Sequence, residues 1–141
     1  MNQKKYQTTV RDLTNHLSEF HRQPDADADQ TLALGVRRRF TERGTGRALM
    51  PGDTVVVKYF GMLIGGKRFD DNLKGKKGLR YQHGTGQVIR GWEEGLRGAR
   101  AGDELLLFLP AAAGYGSVGA GRAIPPNSDL LFWIEIMEVT G

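Results

Sequence analysis

Gln87 to Leu96, QVIRGWEEGL, places the tightest constraint on what this chain can fold into. Trp92, Gly95, Leu96 and Ala99 recur at i, i+3, i+4 and i+7, one face of a short helix. Gly91, Gly95 and Gly98 make that helix poor by propensity, so it must be held by what it packs on. Glu93 and Glu94 fall in its first turn, where carboxylates suit the positive end of the helix dipole. Gln87-Val88-Ile89, apolar and β-branched, reads as the end of an extended segment leading into it. Trp92 on the inner face is either a core plug or the floor of a cavity. Because Trp is usually highly buried, the residues alone favour the plug.

The remaining elements are consistent with a sheet that receives such a helix. Tyr6, Val10, Leu13, Leu17 and Phe20 are spaced 4, 3, 4, 3, a heptad stripe that predicts an amphipathic helix over about residues 4–22. Pro24 and the acidic run Asp25 to Asp29 end it. An isolated helix of this length is marginal, so its stripe needs a partner: its own domain, a second copy in a homodimer, or another protein. Strand signals begin after Gln30, which divides the chain into a helix and acidic linker at 1–30 and a domain at 31–141. A first strand is expected from Leu34 to Phe40, with Val36, Arg38 and Phe40 on one face. Thr54 to Met62 alternates, Val55, Val57 and Tyr59 facing one way and Val56, Lys58 and Phe60 the other. Ile64-Gly65-Gly66-Lys67 reads as a hairpin turn, Phe69 to Asp71 as the returning strand, and Asn72 to Gly78 as a basic flap. Glu104 to Leu109 and Leu130 to Val139 are apolar strands separated by a Gly- and Pro-rich loop over 111–127. Many antiparallel strands and one short central helix make an α+β fold, a curved sheet wrapped around that helix, with an N-terminal amphipathic helix added.

Several chemistries are excluded. There are no cysteines, so disulfides and thiol catalysis are out. His16, His21 and His83 are too few and too scattered for a zinc cluster. Gly114-Tyr115-Gly116-Ser117-Val118-Gly119 matches the spelling of a dinucleotide fingerprint, but Gly121 and Pro125-Pro126 prevent the helix that fingerprint needs. It reads as a rim loop. Asp70 and Asp71, as neighbours in a strand, point to opposite faces and cannot act as a carboxylate pair. No apolar run approaches the ~20 residues of a membrane span. The N-terminus lacks the apolar segment of a signal peptide, so the chain as written reads as cytoplasmic, exported only if a leader has been removed. Residues 37–80 carry twelve Lys or Arg against four acidic residues. With no recognition motif beside it, this charge reads as solvated surface and not as a nucleic-acid site.

The order of elements and the wording of the motifs resemble the FKBP-type peptidyl-prolyl isomerases over residues from about 35 to 140. Val55-Val56-Val57-Lys58-Tyr59 is similar to the family's strand ending in its pocket tyrosine, and Gly66-Lys67-Arg68-Phe69-Asp70 to its G-x-x-F-D. QVIRGWEEGL is nearly its central signature. Gly114-Tyr115-Gly116 and Ile124-Pro125-Pro126-Asn127 match its rim loop, and Leu130-Leu131-Phe132 its last strand. The resemblance turns Trp92 into the floor of a proline pocket. It implies Tyr59, Asp70, Ile89 and Tyr115 as catalytic residues, and Phe69, Leu79, Val88, Trp92, Ile124 and Phe132 as substrate-binding ones. Leu79 stands where the family often has an aromatic wall, and Ala120 where a histidine is common. The implied activity is cis-trans isomerisation of X-Pro bonds in folding proteins, with no cofactor. Its partners would be Pro-containing peptides, unfolded proteins and macrolide inhibitors. The alternative is a docking module that holds Pro-containing partners without turnover.

Overall fold

The computed structural model describes residues 1–141. Helix α1 spans Gln3–Arg22, where the heptad stripe places it. Asn2 caps it: its side-chain oxygen accepts the Lys5 N–H at 2.8 Å, which satisfies one of the donors left open at a helix N-terminus. His21 and Arg22 occupy the last turn and complement the negative end of the dipole. The strands are β1 (Asp29–Thr31), β2 (Arg37–Glu42), β3 (Thr54–Leu63), β4 (Arg68–Asp71), β5 (Leu79–Gln82), β6 (Glu104–Leu109) and β7 (Leu130–Thr140); the short helix α2 is Arg90–Gly95. They form one antiparallel sheet in the order β1-β2-β6-β7-β3-β4. The long strand β3 carries two partners on its outer edge, β5 against Thr54 to Val57 and β4 against Phe60 to Met62.

Four local expectations shift. A strand begins at Asp29 inside the predicted acidic linker and pairs with β2. Leu34 is not in a strand, because Leu34 and Gly35 take positive φ of 63° and 73° in a tight turn that joins β1 to β2 and closes with Leu32 N–H bonded to the Val36 carbonyl at 2.8 Å. Leu79–Gln82 is a strand that the basic flap conceals, whereas Gln87 to Ile89 lies in a loop.

The strand alternation sorts the sheet into two faces, each with its own core. On the concave face Val55, Val57, Leu105, Leu107, Leu109, Phe132 and Ile134 pack with Trp92 and Leu96 of the α2 region. On the convex face Phe60, Met62, Leu106 and Leu131 pack with Leu17 and Phe20, and Tyr6, Val10 and Leu13 extend the contact. The stripe of α1 is therefore taken up by the chain's own sheet. Strand β6 is apolar almost throughout because both of its faces are covered. Leu17 is fully buried on the convex side. Leu17→Ala is expected to lower the unfolding free energy by about 2–5 kcal/mol, measured by urea denaturation, with little effect on a site built on the other face. No helix is long and apolar enough to cross a membrane.

Much of the basic stretch is structural. Arg37 and Arg39 both pair with Asp29, at 2.7 and 2.5 Å, and donate to the carbonyls of Phe20 and Gln23 at 3.0 and 3.1 Å. They tie the end of α1 to β1 and β2. Arg43 pairs with Asp103, Arg47 with Asp53 and Arg68 with Asp71. Solvated charge of the expected kind remains at Lys67, Lys76, Lys77 and Arg80, which are exposed. Burial works against the Asp29 charge, but hydrogen bonds from Arg39, from the backbone at Asp25 and from Arg37 outweigh it and hold the carboxyl below its ordinary value. A carboxyl with a depressed folded pKa stabilises above its unfolded pKa and loses that contribution as pH falls through the folded value. Asp29→Asn is therefore expected to be less stable than wild type at neutral pH. In a urea-midpoint series the gap should close as pH falls below about 4, the unfolded carboxyl range.

Candidate active site

The concave face ends in a cavity of about 460 Å³ between α2, β3, β4, the start of β5 and the rim loop. Its floor is Trp92, only 4 % exposed. The glycines that weaken α2 are what seat it. A Cβ at Gly91 would run into the Leu109 side chain and stand 2.9 Å from the Ala113 carbonyl oxygen, and one at Gly95 would lie 2.7 Å from Leu107. Glycine at both positions lets the helix backbone rest directly on β6.

Around Trp92 stand the rings of Tyr59 and Phe132, edge-on at centroid distances of 5.2 and 5.4 Å, and Phe69 meets Phe132 at 5.5 Å. These are the favoured edge-to-face arrangements of aromatic rings. Gly61 on β3 makes room for them: a Cβ there would come within 2.7 Å of both Phe69 and Phe132. Val88 and Ile89, at the entrance to α2, complete the wall, and Leu79 and Tyr115, each 37 % exposed, stand at the mouth.

Polar groups are few. The Tyr59 hydroxyl donates to the Asp70 carboxylate at 2.7 Å. Burial, followed by that bond, pushes the Tyr59 phenol up from its ordinary value. Burial and then the charge of Asp70 do the same for Tyr115, so both phenols stay protonated at neutral pH. Asp71 points to the convex face and accepts from Tyr6 at 2.6 Å, so the two adjacent carboxylates do lie on opposite sides of the sheet. The Ile89 N–H makes no hydrogen bond within the chain, while the Ile89 carbonyl accepts from Trp92 and Glu93. No three His, Asp or Glu side chains come together to hold a metal ion.

The family model for FKBP-type peptidyl-prolyl cis-trans isomerases matches residues 45–137, which contain this cavity. The chain belongs to that family. Among its relatives is a peptidyl-prolyl cis-trans isomerase of Arabidopsis thaliana, FKBP53, 46 % identical over 95 residues that make up 67 % of this chain and 20 % of the plant protein. An FK506-binding protein of Neisseria meningitidis serogroup B is 39 % identical over 98 residues, 70 % of this chain and 90 % of its own length. The chain thus spans a fifth of one relative and nearly all of the other. A crystal structure of a peptidyl-prolyl cis-trans isomerase from Pseudomonas syringae pv. tomato superposes with a TM-score of 0.73 at 26 % identity, over 100 % of this chain and 98 % of that one.

In this FKBP-type chain nine of the ten residues named from the sequence line the cavity: Tyr59, Phe69, Asp70, Leu79, Val88, Ile89, Trp92, Tyr115 and Phe132. Ile124 does not. It is 4 % exposed within the concave core, where its N–H and carbonyl pair with Ala120 and close the rim loop. Gly86 and Gln87 line the cavity in addition. Two further residues shape the pocket of the FKBP-type domain without entering it. One is Gly61. The other is Asn72, whose side-chain oxygen accepts the Tyr59 N–H at 2.8 Å and whose amide donates to the Val57 carbonyl at 3.0 Å. It bridges the gap on the edge of β3 between β4 and β5. Both act across strand pairings, Gly61 on Phe69 and Phe132 and Asn72 on β3, so their own sequence neighbours do not mark them.

Proposed function

We propose that the chain catalyses rotation about X-Pro peptide bonds by transferring the bond into this dry aromatic cavity. The uncatalysed barrier is ~18–20 kcal/mol, and the isomers exchange in tens to hundreds of seconds. No covalent bond has to break. Twisting removes amide resonance and draws charge off the carbonyl oxygen, so the twisted amide is less polar than the planar one. A wall of Tyr59, Phe69, Trp92 and Phe132 therefore favours the twisted state over the ground state. The observation that carries this reading is a cavity whose floor and walls are the rings of Trp92, Tyr59, Phe69 and Phe132, with Asp70 its one carboxylate.

The roles follow from position. The free Ile89 N–H holds the substrate main chain, and the Tyr115 hydroxyl bonds a substrate carbonyl at the mouth. Asp70, fixed by Tyr59, faces the rotating carbonyl as a polar aid and moves no proton. Residues 31–141 act as the isomerase domain, extended at its start by the first two residues of β1, and α1 closes its convex face. Substrates are Pro-containing peptides and unfolded chains, and a macrolide such as rapamycin competes for the same space. A homodimer through α1 is the weaker reading, since its stripe already packs on the sheet.

A protease-free isomerisation assay on short X-Pro peptides tests the proposal. Catalysis that a macrolide inhibits is the expected result. Saturable peptide binding without acceleration would mean a docking module instead.

A further inference from the structure

Helix α2 has six residues, two of them glycine, and it carries the floor of the pocket. Its glycine face fixes how close it lies to β6, but glycine contacts do not fix its tilt. The C-terminal end is gripped from β2. Arg38 is 8 % exposed, and its Nη1 donates to the carbonyls of Gly95 and Arg97, both at 3.0 Å. Its Nε donates to the Gln30 side chain on β1 at 2.9 Å, and its guanidinium lies over the Phe40 ring at 4.8 Å. In the sheet Arg38 pairs with Leu107, the residue against which Gly95 packs. The sheet position that receives the helix therefore stands beside the one that holds its last carbonyls.

Arg38 makes no ion pair. Burying a guanidinium without a bonded carboxylate is costly, and an apolar side chain at this concave position would serve the fold as well. What the guanidinium adds is two directed bonds to a helix end, where a cation also meets the negative pole of the dipole.

We infer that Arg38 is a positioning residue for the pocket: by holding the Gly95 and Arg97 carbonyls it sets the tilt of α2 and hence the placement of Trp92 against Tyr59 and Phe132. The inference rests on the isomerase reading for its kinetic consequence, and on geometry alone for the placement of Trp92.

The test compares Arg38→Met and Arg38→Lys with wild type, well below the unfolding temperature. The readouts are kcat and KM in the protease-free assay and the indole N–H resonances of Trp92 and Trp133. Arg38→Met keeps the volume of the stem and removes both bonds. It is expected to stay folded, to lose on the order of tenfold in kcat/KM, mostly in kcat, as displacement of a distant support does, and to shift the Trp92 resonance while that of Trp133 stays. Arg38→Lys, which can reach one carbonyl, is expected to recover part of both. Wild-type kcat/KM and an unmoved Trp92 signal in Arg38→Met would overturn the inference, as would equal impairment of Met and Lys variants with Trp92 unmoved. Should Arg38→Met not fold, Gln30→Leu keeps the guanidinium but frees its other side. A smaller loss in the same direction supports the inference, and none overturns it. If the wild-type chain accelerated no peptide, the isomerase reading would fail while the Trp92 resonance still decided the role of Arg38.

Discussion

Trp92→Ala is expected to abolish most isomerase activity and to lower stability by about 3–5 kcal/mol, the range for removing a large buried aromatic. The indole meets three other rings, Tyr59 and Phe132 of the site and Tyr81 of the core beneath it, and belongs to the concave core. Its removal admits water beneath the rotating amide, so polar solvation of the planar ground state returns and the preference for the twisted state is lost. Stability and activity should fall together because one side chain is both core and pocket. Denaturant unfolding together with the protease-free assay, at a temperature where the variant remains folded, separates the two losses. Retained turnover in a folded Trp92→Ala would mean that dryness of the floor is not what lowers the barrier.

Gly61→Ala is the second large effect, and it comes from a residue that contributes no side chain. The new methyl would stand 2.7 Å from both Phe69 and Phe132, so the two rings must move into the cavity or apart from one another. Overpacking of this kind costs about 1–3 kcal/mol. The larger change is in the pocket, where the edge-to-face pair at 5.5 Å is broken from behind. Macrolide affinity and kcat/KM are both expected to drop by at least about tenfold, in keeping with the sensitivity of catalysis to displacements near 1 Å. Isothermal titration and the peptide assay report them independently.

The elements that could be read from the sequence are those whose burial follows a simple period. The stripe of α1 identified its buried face, the alternation in β3 sorted its residues onto two faces that both turn out to be covered, and the glycine-rich α2 with its inward Trp92 was legible as a helix needing support. Strand β5 was not, since its four residues alternate Leu79 and Tyr81 with Arg80 and Gln82 behind a lysine- and glycine-rich flap that masks the signal. The run Arg37-Arg38-Arg39 looked like surface charge. Its alternate faces take Arg37 and Arg39 to Asp29 on the convex side and Arg38 to α2 on the concave side, and no local pattern names those partners. For the site, motif resemblance named ten residues, nine of which line the cavity, but missed Gly61 and Asn72, which act across the pairing of neighbouring strands. It also placed Ile124 in the pocket, where the fold uses it to close the rim loop. For Trp92 the two readings open at the start are both realised, because the core of the concave face and the floor of the cavity are the same ring.

The most direct test of the mechanism is the pH–rate profile of Asp70→Asn beside wild type. Asp70 is the sole carboxylate lining the cavity, and its bonded partner Tyr59 stays protonated because burial raises its pKa. If catalysis comes from pocket shape and dryness, wild-type kcat/KM stays flat from roughly pH 6 to 8, with no acid–base bell. Asn at this position still accepts the Tyr59 hydroxyl as a neutral group. The loss should then be that of a weakened hydrogen bond, about 1 kcal/mol or roughly fivefold. Activity falling to the uncatalysed rate in Asp70→Asn, or a bell in the wild-type profile, would show that an ionised group is essential to turnover and would contradict the account.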